Sequence, residues 1–206
     1  MEIKDKILEG AEGLFMRYGI KSVTMDDIAR ELGISKKTLY QYVDNKGDLI
    51  QQIFGCRKEE EQAEMAEIHQ AATDAIDEIL RIAKSFLRRL RGMSQSALYD
   101  LQKYYGRQWK AFELEHQQYI YQLLKRNIED GMKQGLYREN LDRDIVSKLY
   151  VGRTSLVADE ELFPLSDYNL ETLFRQYMLY HIHGIASLEG LKVLEKHMDR
   201  NLEHID

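Results

Sequence analysis

The chain has 206 residues, 44% of them apolar and 31% charged, with one Pro and one Cys. That length buries a sizeable core in one or two domains, and one Cys forms no internal disulfide or Cys-based zinc site, which suits a reducing cytoplasm. Acids outnumber bases 35 to 29, for a net charge of −6; a strongly basic nucleic-acid binder is excluded, and any contact with DNA must come from a local patch.

The opening residues Met1 to Lys6 lack the apolar stretch of a secretory signal, and no apolar run approaches the ~18–20 residues that cross a bilayer. A cytoplasmic protein with no membrane partner is expected. The periodicity is helical throughout. Ile3, Ile7, Leu8, Ala11, Leu14, Phe15 and Tyr18 recur at three- and four-residue steps and share one helical face, and Gly19 stands where a helix stops on a left-handed residue. Thr24 then precedes Met25-Asp26-Asp27, a Thr-x-x-Asp capping arrangement, for a short helix with Ile28, Ala29 and Leu32 inward and Gly33 at its end. Ser35 caps a third helix predicted from Lys36 to about Tyr42, packed by Leu39. Asp44-Asn45 breaks it, and Asn45 caps the next, with Leu49, Ile50 and Ile53 on its apolar side.

Beyond residue 50 the helices lengthen. Glu59-Glu60-Glu61-Gln62 reads as a solvated helix face. Ala75 to Leu90 carries a strong amphipathic stripe. Further helices are predicted over Ser96–Tyr105, Trp109–Met132, Ile145–Ala158 (capped by Asp142), Tyr168–Ala186 (opened by Asp167) and Leu188 to about Asn201 (capped by Ser187). No strand alternation and no internal repeat occurs. The fold class is all-α: an N-terminal three-helix domain over 1–50 and a larger helical domain over 51–206.

Two short helices joined by a tight Gly-containing turn are the pattern of helix-turn-helix. Counting Met25 as position 1, Ala29, Gly33 and Leu39 fall at 5, 9 and 15: a small residue where the helices cross, a backbone reversal, and an apolar plug. That leaves Lys36, Lys37, Thr38, Gln41 and the Tyr40/Tyr42 pair outward, side chains suited to base edges and phosphates. The three lysines 36, 37 and 46, against the single acid Asp44, form the only local basic patch.

The run Thr24-Met25-Asp26-Asp27-Ile28-Ala29-Arg30-Glu31-Leu32-Gly33-Ile34-Ser35-Lys36-Lys37-Thr38-Leu39-Tyr40-Gln41-Tyr42, followed by Asn45-Lys46-x-Asp48-Leu49, resembles the tetracycline-repressor (TetR) family of bacterial regulators, as does Ala11-x-x-Leu14-Phe15-x-x-x-Gly19. The resemblance runs from about Ile3 to Ile50. It implies base contacts by Lys36, Lys37, Thr38 and Gln41, and phosphate contacts by Thr24, Ser35, Tyr40, Tyr42 and Lys46. Two positions depart from the family pattern: Val43 stands where a Phe is usual, and Gly47 where an acid is usual. For the rest of the chain the resemblance is architectural. It implies an all-helical effector-binding and dimerisation domain, whose homodimer surface is formed by 145–158 and 168–186 with Leu149, Leu156, Leu173, Tyr177 and Tyr180 as members. The implied partners are a palindromic double-stranded operator and a small-molecule effector that releases a repressor from it.

The aromatic-rich middle offers Met93, Tyr99, Tyr104, Tyr105, Trp109, Phe112, His116 and Tyr119 as lining for a largely apolar effector pocket, or as plain core. Glu113-x-x-His116 is half of a di-iron signature, but no second copy occurs, so no metal is expected. No Gly-rich phosphate loop, nucleophile elbow or His-Glu-x-x-His is present; neither a cofactor nor an enzyme activity is expected. The competing reading is a helical interaction module or bundle enzyme whose N-terminal helices have no DNA role.

Overall fold

The computed structural model describes residues 2–92, 94–157, 161–164 and 166–201, and of residues 90, 154–157 and 199–201 the backbone alone. Ten helices follow in chain order among them: α1 (Ile3–Tyr18), α2 (Met25–Glu31), α3 (Lys36–Leu39), α4 (Lys46–Ala71), α5 (Ala75–Arg91), α6 (Gln95–Tyr104), α7 (Gly106–Lys133), α8 (Arg143–Val157), α9 (Leu170–Ile185) and α10 (Leu188–Asn201). The described residues form no strand; one isolated bridge joins Tyr137 and Ala186.

The chain divides into two compact units, Met1–Glu64 with Leu90–His116, and Met65–Arg89 with Gln117–Asp206. A boundary at residue 50 is therefore not where the structure divides. That position lies inside α4, whose Ile53 is buried with the N-terminal helices, and α6 adds Ala97 and Leu101 to the same core. The first unit packs Ile7, Leu8, Ala11, Leu14 and Phe15 of α1 against Ile28 and Ala29 of α2 and Leu39 of α3, the side chains that the helical periodicity selects.

The second unit buries the stripe of α5 (Ile76, Ile79, Leu80) against Leu124 and Ile128 of α7, Phe174, Met178 and Ile182 of α9, and Leu194 of α10. A polar knot sits inside it. Asn127 is wholly buried and donates to the Ala75 carbonyl and to Glu78, each at 2.8 Å. The Tyr137 hydroxyl donates to Asn127 at 3.0 Å, and Arg126 reaches Glu78 at 2.9 Å. Each buried group finds a partner, which is what makes such a knot tolerable in an apolar core.

Several element ends differ from expectation for local reasons. The third helix stops at Leu39, and residues 40–42 continue as turns, with Gln41 and Tyr42 amides bonding three residues back at 3.1 Å each. α9 opens on Asn169, whose side-chain Oδ1 accepts the Thr172 amide at 3.0 Å, so Asp167 is not its cap. α6 and α7 each begin ahead of the predicted start, at Gln95 behind the Ser94 cap and at Gly106. The Glu59–Gln62 run is a solvated face except at Glu61, which is buried and meets His116 at 3.3 Å. The caps at Thr24, Ser35, Asp142 and Ser187 form as their sequences indicate.

Candidate nucleic-acid interface

The reading head is built from its caps. The Thr24 hydroxyl accepts the Asp27 amide at 3.1 Å, and the Asp27 carboxylate accepts the Thr24 amide at 2.9 Å. Hydrogen bonds from Thr24 hold the Asp27 carboxyl below its ordinary range, with Arg30 adding to them. Each such cap is worth about 1 kcal/mol to its helix. Gly33 takes φ +64°, the left-handed conformation that reverses the chain between α2 and α3. Ser35 then caps α3 through the Thr38 amide at 3.0 Å, with the two hydroxyls 2.7 Å apart.

Leu39 is fully buried beneath α3. Lys36, Lys37, Tyr40 and Gln41 stay exposed, and Thr38 and Tyr42 are half-buried. The eight residues from Ser35 to Tyr42 thus present ammonium, hydroxyl, phenol and amide groups on one short surface. Lys36 is engaged by Asp26 of α2 at 2.6 Å, a surface pair that a phosphate readily exchanges. Lys37 has no ion-pair partner among the described residues.

Lys46 does not stand with them. Its ammonium turns inward, donates to the Ile20 and Val23 carbonyls, and lies 5.6 Å from the centre of the Phe15 ring. Burial lowers its basicity, opposed by the charge of Asp100. The sequence patch of three lysines therefore contributes two outward ones. At Gly47 a Cβ would stand 2.7 Å from Gln108 Nε2, the far end of a flexible side chain that can move aside. Val43 is buried and fills its place in the core.

Residues 7–53 match the family model of bacterial regulatory proteins of the tetR family. Over that N-terminal segment the chain is of the tetR type. It is a DNA-binding transcriptional regulator. Among its relatives, the HTH-type transcriptional regulator YhgD of Bacillus subtilis is 26% identical over 89% of this chain and 97% of that protein. The biofilm operon icaADBC negative transcriptional regulator IcaR of Staphylococcus aureus is 39% identical over 26% of this chain and 29% of its own. Two solved structures share the fold. A TetR transcription regulator from Haloarcula marismortui has a TM-score of 0.74 at 17% identity, covering 89% of this chain and 98% of that one. A transcriptional regulator from Saccharomonospora viridis in complex with choline has a TM-score of 0.64 at 21% identity, covering 89% and 97%.

The effector residues expected from sequence do not gather into one pocket. Tyr99 and Tyr104 are exposed on α6, where Tyr99 accepts from Lys103 at 2.5 Å and Tyr104 from Lys21 at 3.0 Å; the lysines draw them to the surface by hydrogen bonding and ring contact. Tyr105 packs on the first core. Tyr119 belongs to the second unit, and Met93 lies outside the described residues. Three of the set remain together. Trp109, Phe112 and His116 form a row along α7, with ring centres 6.0 and 5.8 Å apart, and Phe54 of α4 stacks on Phe112 at 4.4 Å.

Phe54 and Phe112 line an open groove of about 530 Å³ between α4 and α7, together with Lys58, Arg107, Gln108 and Glu115. Sequence reasoning missed Phe54, whose partner lies 58 positions away. Of the expected dimer residues, Leu149 is 50% and Tyr180 68% exposed. Leu173 and Tyr177 are half-buried, Tyr177 donating to the Tyr150 carbonyl at 2.7 Å. The Leu156 side chain lies outside the described residues. No group of three or more His, Cys, Asp or Glu among the described residues could hold a metal ion, and no described helix is long and apolar enough to cross a membrane.

Proposed function

We propose that this regulator is a homodimeric repressor, released from a two-fold symmetric operator by a largely apolar small molecule. The observation that carries the reading is the exposed polar face from Ser35 to Gln41 on a Leu39-anchored helix too short to read more than a few base pairs alone. Two copies placed one helical turn of DNA apart give such a head its specificity. In this reading Lys36, Lys37, Thr38 and Gln41 meet base edges, while Thr24, Ser35, Tyr40 and Tyr42 hold phosphates.

Large apolar side chains left in water on α8 and α9, notably Ile145, Leu149 and Tyr180, supply a surface for the second copy. The negative regulator IcaR, similar over the reading head, supports repression, and the choline complex of a fold neighbour supports a small-molecule effector. We assign the effector to the groove beside Phe54 and Phe112, whose aromatic wall suits an apolar body and whose lining also carries Arg107.

Selection of bound duplexes from a random pool tests the operator: a palindromic consensus is expected, and an asymmetric or absent consensus overturns the dimeric reading. Trp109, the sole tryptophan, lies 6.4 Å from Phe54 and reports the effector site. Compounds that release the protein from the selected duplex should change its emission; release with unchanged emission in every case would place the effector elsewhere.

A further inference from the structure

The loop over residues 19–24, between α1 and α2, turns at residues 20–22 and carries Thr24, the cap from which the reading head starts. Backbone donors and acceptors there need partners. They find them far away in sequence. The Lys21 amide donates to Asp100 Oδ2 of α6 at 2.7 Å, across 79 positions. The Ile20 and Val23 carbonyls both accept from the ammonium of Lys46 at the start of α4.

The Lys21 side chain closes the arrangement. Its ammonium donates to the Tyr104 hydroxyl at 3.0 Å and lies 4.6 Å from the centre of that ring. The Lys46 ammonium lies 5.6 Å from the Phe15 ring centre and 6.0 Å from that of Tyr105, just past the end of α6. The fit is close: a Cβ on Gly19 would stand 3.2 Å from Asp100 Oδ2. α6 is itself fixed, with Ala97 and Leu101 buried in the same core. The loop is therefore gripped from two helices by one carboxylate, one ammonium and one phenol.

We propose that Asp100 and Lys46 are positioning residues for operator reading: they set the loop that launches α2 and α3, and touch no DNA themselves. This makes α6 a second handle on the reading head beside α4. The inference rests on the reading that α3 meets an operator, and the two can fail separately.

The test uses the full chain, a duplex selected from a random pool, and a random duplex of equal length. The variants are Asp100→Ala, Asp100→Asn and Lys46→Met, each checked for cooperative thermal unfolding above the assay temperature. A wild-type protein that binds neither duplex overturns the operator reading itself. Where wild type binds, Asp100→Ala and Lys46→Met should weaken the selected duplex about ten-fold or more, while affinity for the random duplex stays within a few-fold. The salt slope should be unchanged, because no phosphate contact is lost; a lost contact flattens it by about 0.9. Asp100→Asn, which keeps an oxygen for the Lys21 amide, should fall between wild type and Asp100→Ala.

Folded variants that bind the selected duplex as wild type does would overturn the proposal, as would a slope that flattens by about one for Lys46→Met, the mark of a direct phosphate ligand. If Asp100→Ala does not fold, Asp100→Asn and Lys46→Met carry the same two outcomes.

Discussion

At the scale of single residues, what a side chain can do depends on what already holds it. Lys36, Lys37 and Lys46 look alike in the sequence, but one is paired with Asp26, one is open to solvent and one is spent on two backbone carbonyls. Spacing within a motif shows which face a residue takes; it does not show a carbonyl pair supplied by a loop 23 to 26 positions earlier. Gln41 is the opposite case, exposed and without a fold role that its outward position conflicts with. An amide is the group that pairs with both N6 and N7 on the major-groove edge of adenine, at about 1–3 kcal/mol of discrimination per good contact. Gln41→Ala should leave thermal stability unchanged and relax the consensus at one position of each half-site by roughly that amount, read by competition between duplexes substituted position by position. An unaltered consensus would remove Gln41 from the base-reading set.

At the scale of elements, the helices were largely legible because each carries its own start signal and its own apolar stripe. Thr24-x-x-Asp27, Ser35 and Ser187 cap where their sequences place them, and the Ala75–Leu87 stripe is buried. What was not legible is set by partners distant in the chain: the burial of Glu61 against His116, the stacking of Phe54 on Phe112, and the outward turn of Tyr99 and Tyr104 toward lysines. The same holds for Gly190. Within an exposed helix, Gly→Ala gains about 1 kcal/mol, but here a Cβ would stand 2.0 Å from the Leu136 carbonyl oxygen. Backbone does not yield as a flexible side chain does, so Gly190→Ala should destabilise by about 2–4 kcal/mol, measured by chemical unfolding; a gain would show that α10 does not press on residue 136. His181 of α9 gives a pH signature. Burial, aided by the Arg153 charge, holds its imidazole down to about 4, and its Nε2 is buried without a hydrogen-bond partner. A base with a depressed folded pKa contributes full stability above its unfolded value of about 6.5, and that contribution is lost as pH falls toward 4, because the unfolded chain takes up the proton first. The loss amounts to about 3 kcal/mol. Unfolding free energies of wild type and His181→Leu, compared at pH 7 and 4.5, should diverge by nearly that much, with the variant less acid-sensitive. Parallel curves would show that His181 is protonated in the fold.

At the scale of the whole molecule, an acidic chain can still read DNA if its basic groups are local and are presented twice. The net charge of −6 opposes loose attachment to a polyanion, so binding depends on geometry more than on bulk attraction. One head with two outward lysines makes few phosphate contacts. Two heads held by a common surface square that selectivity, provided the surface survives dilution. The exposed Ile145 and Leu149 lie four positions apart on one face of α8, and Tyr180 of α9 is more than two-thirds exposed; apolar groups of that size left in water favour association at about 1.5–3 kcal/mol each when buried. Leu149→Glu places a charge in that surface, and two copies bring two like charges together. Sedimentation should show the wild type as a dimer and Leu149→Glu as a folded monomer with unchanged helicity. The monomer should bind a single half-site as the wild-type head does, and should lose at least a hundred-fold on the full palindrome, where the second head no longer binds intramolecularly. If Leu149→Glu stays dimeric and binds the palindrome undiminished, the mating surface lies off the α8 face, and the two-fold arrangement of the heads has to be built from another pair of helices.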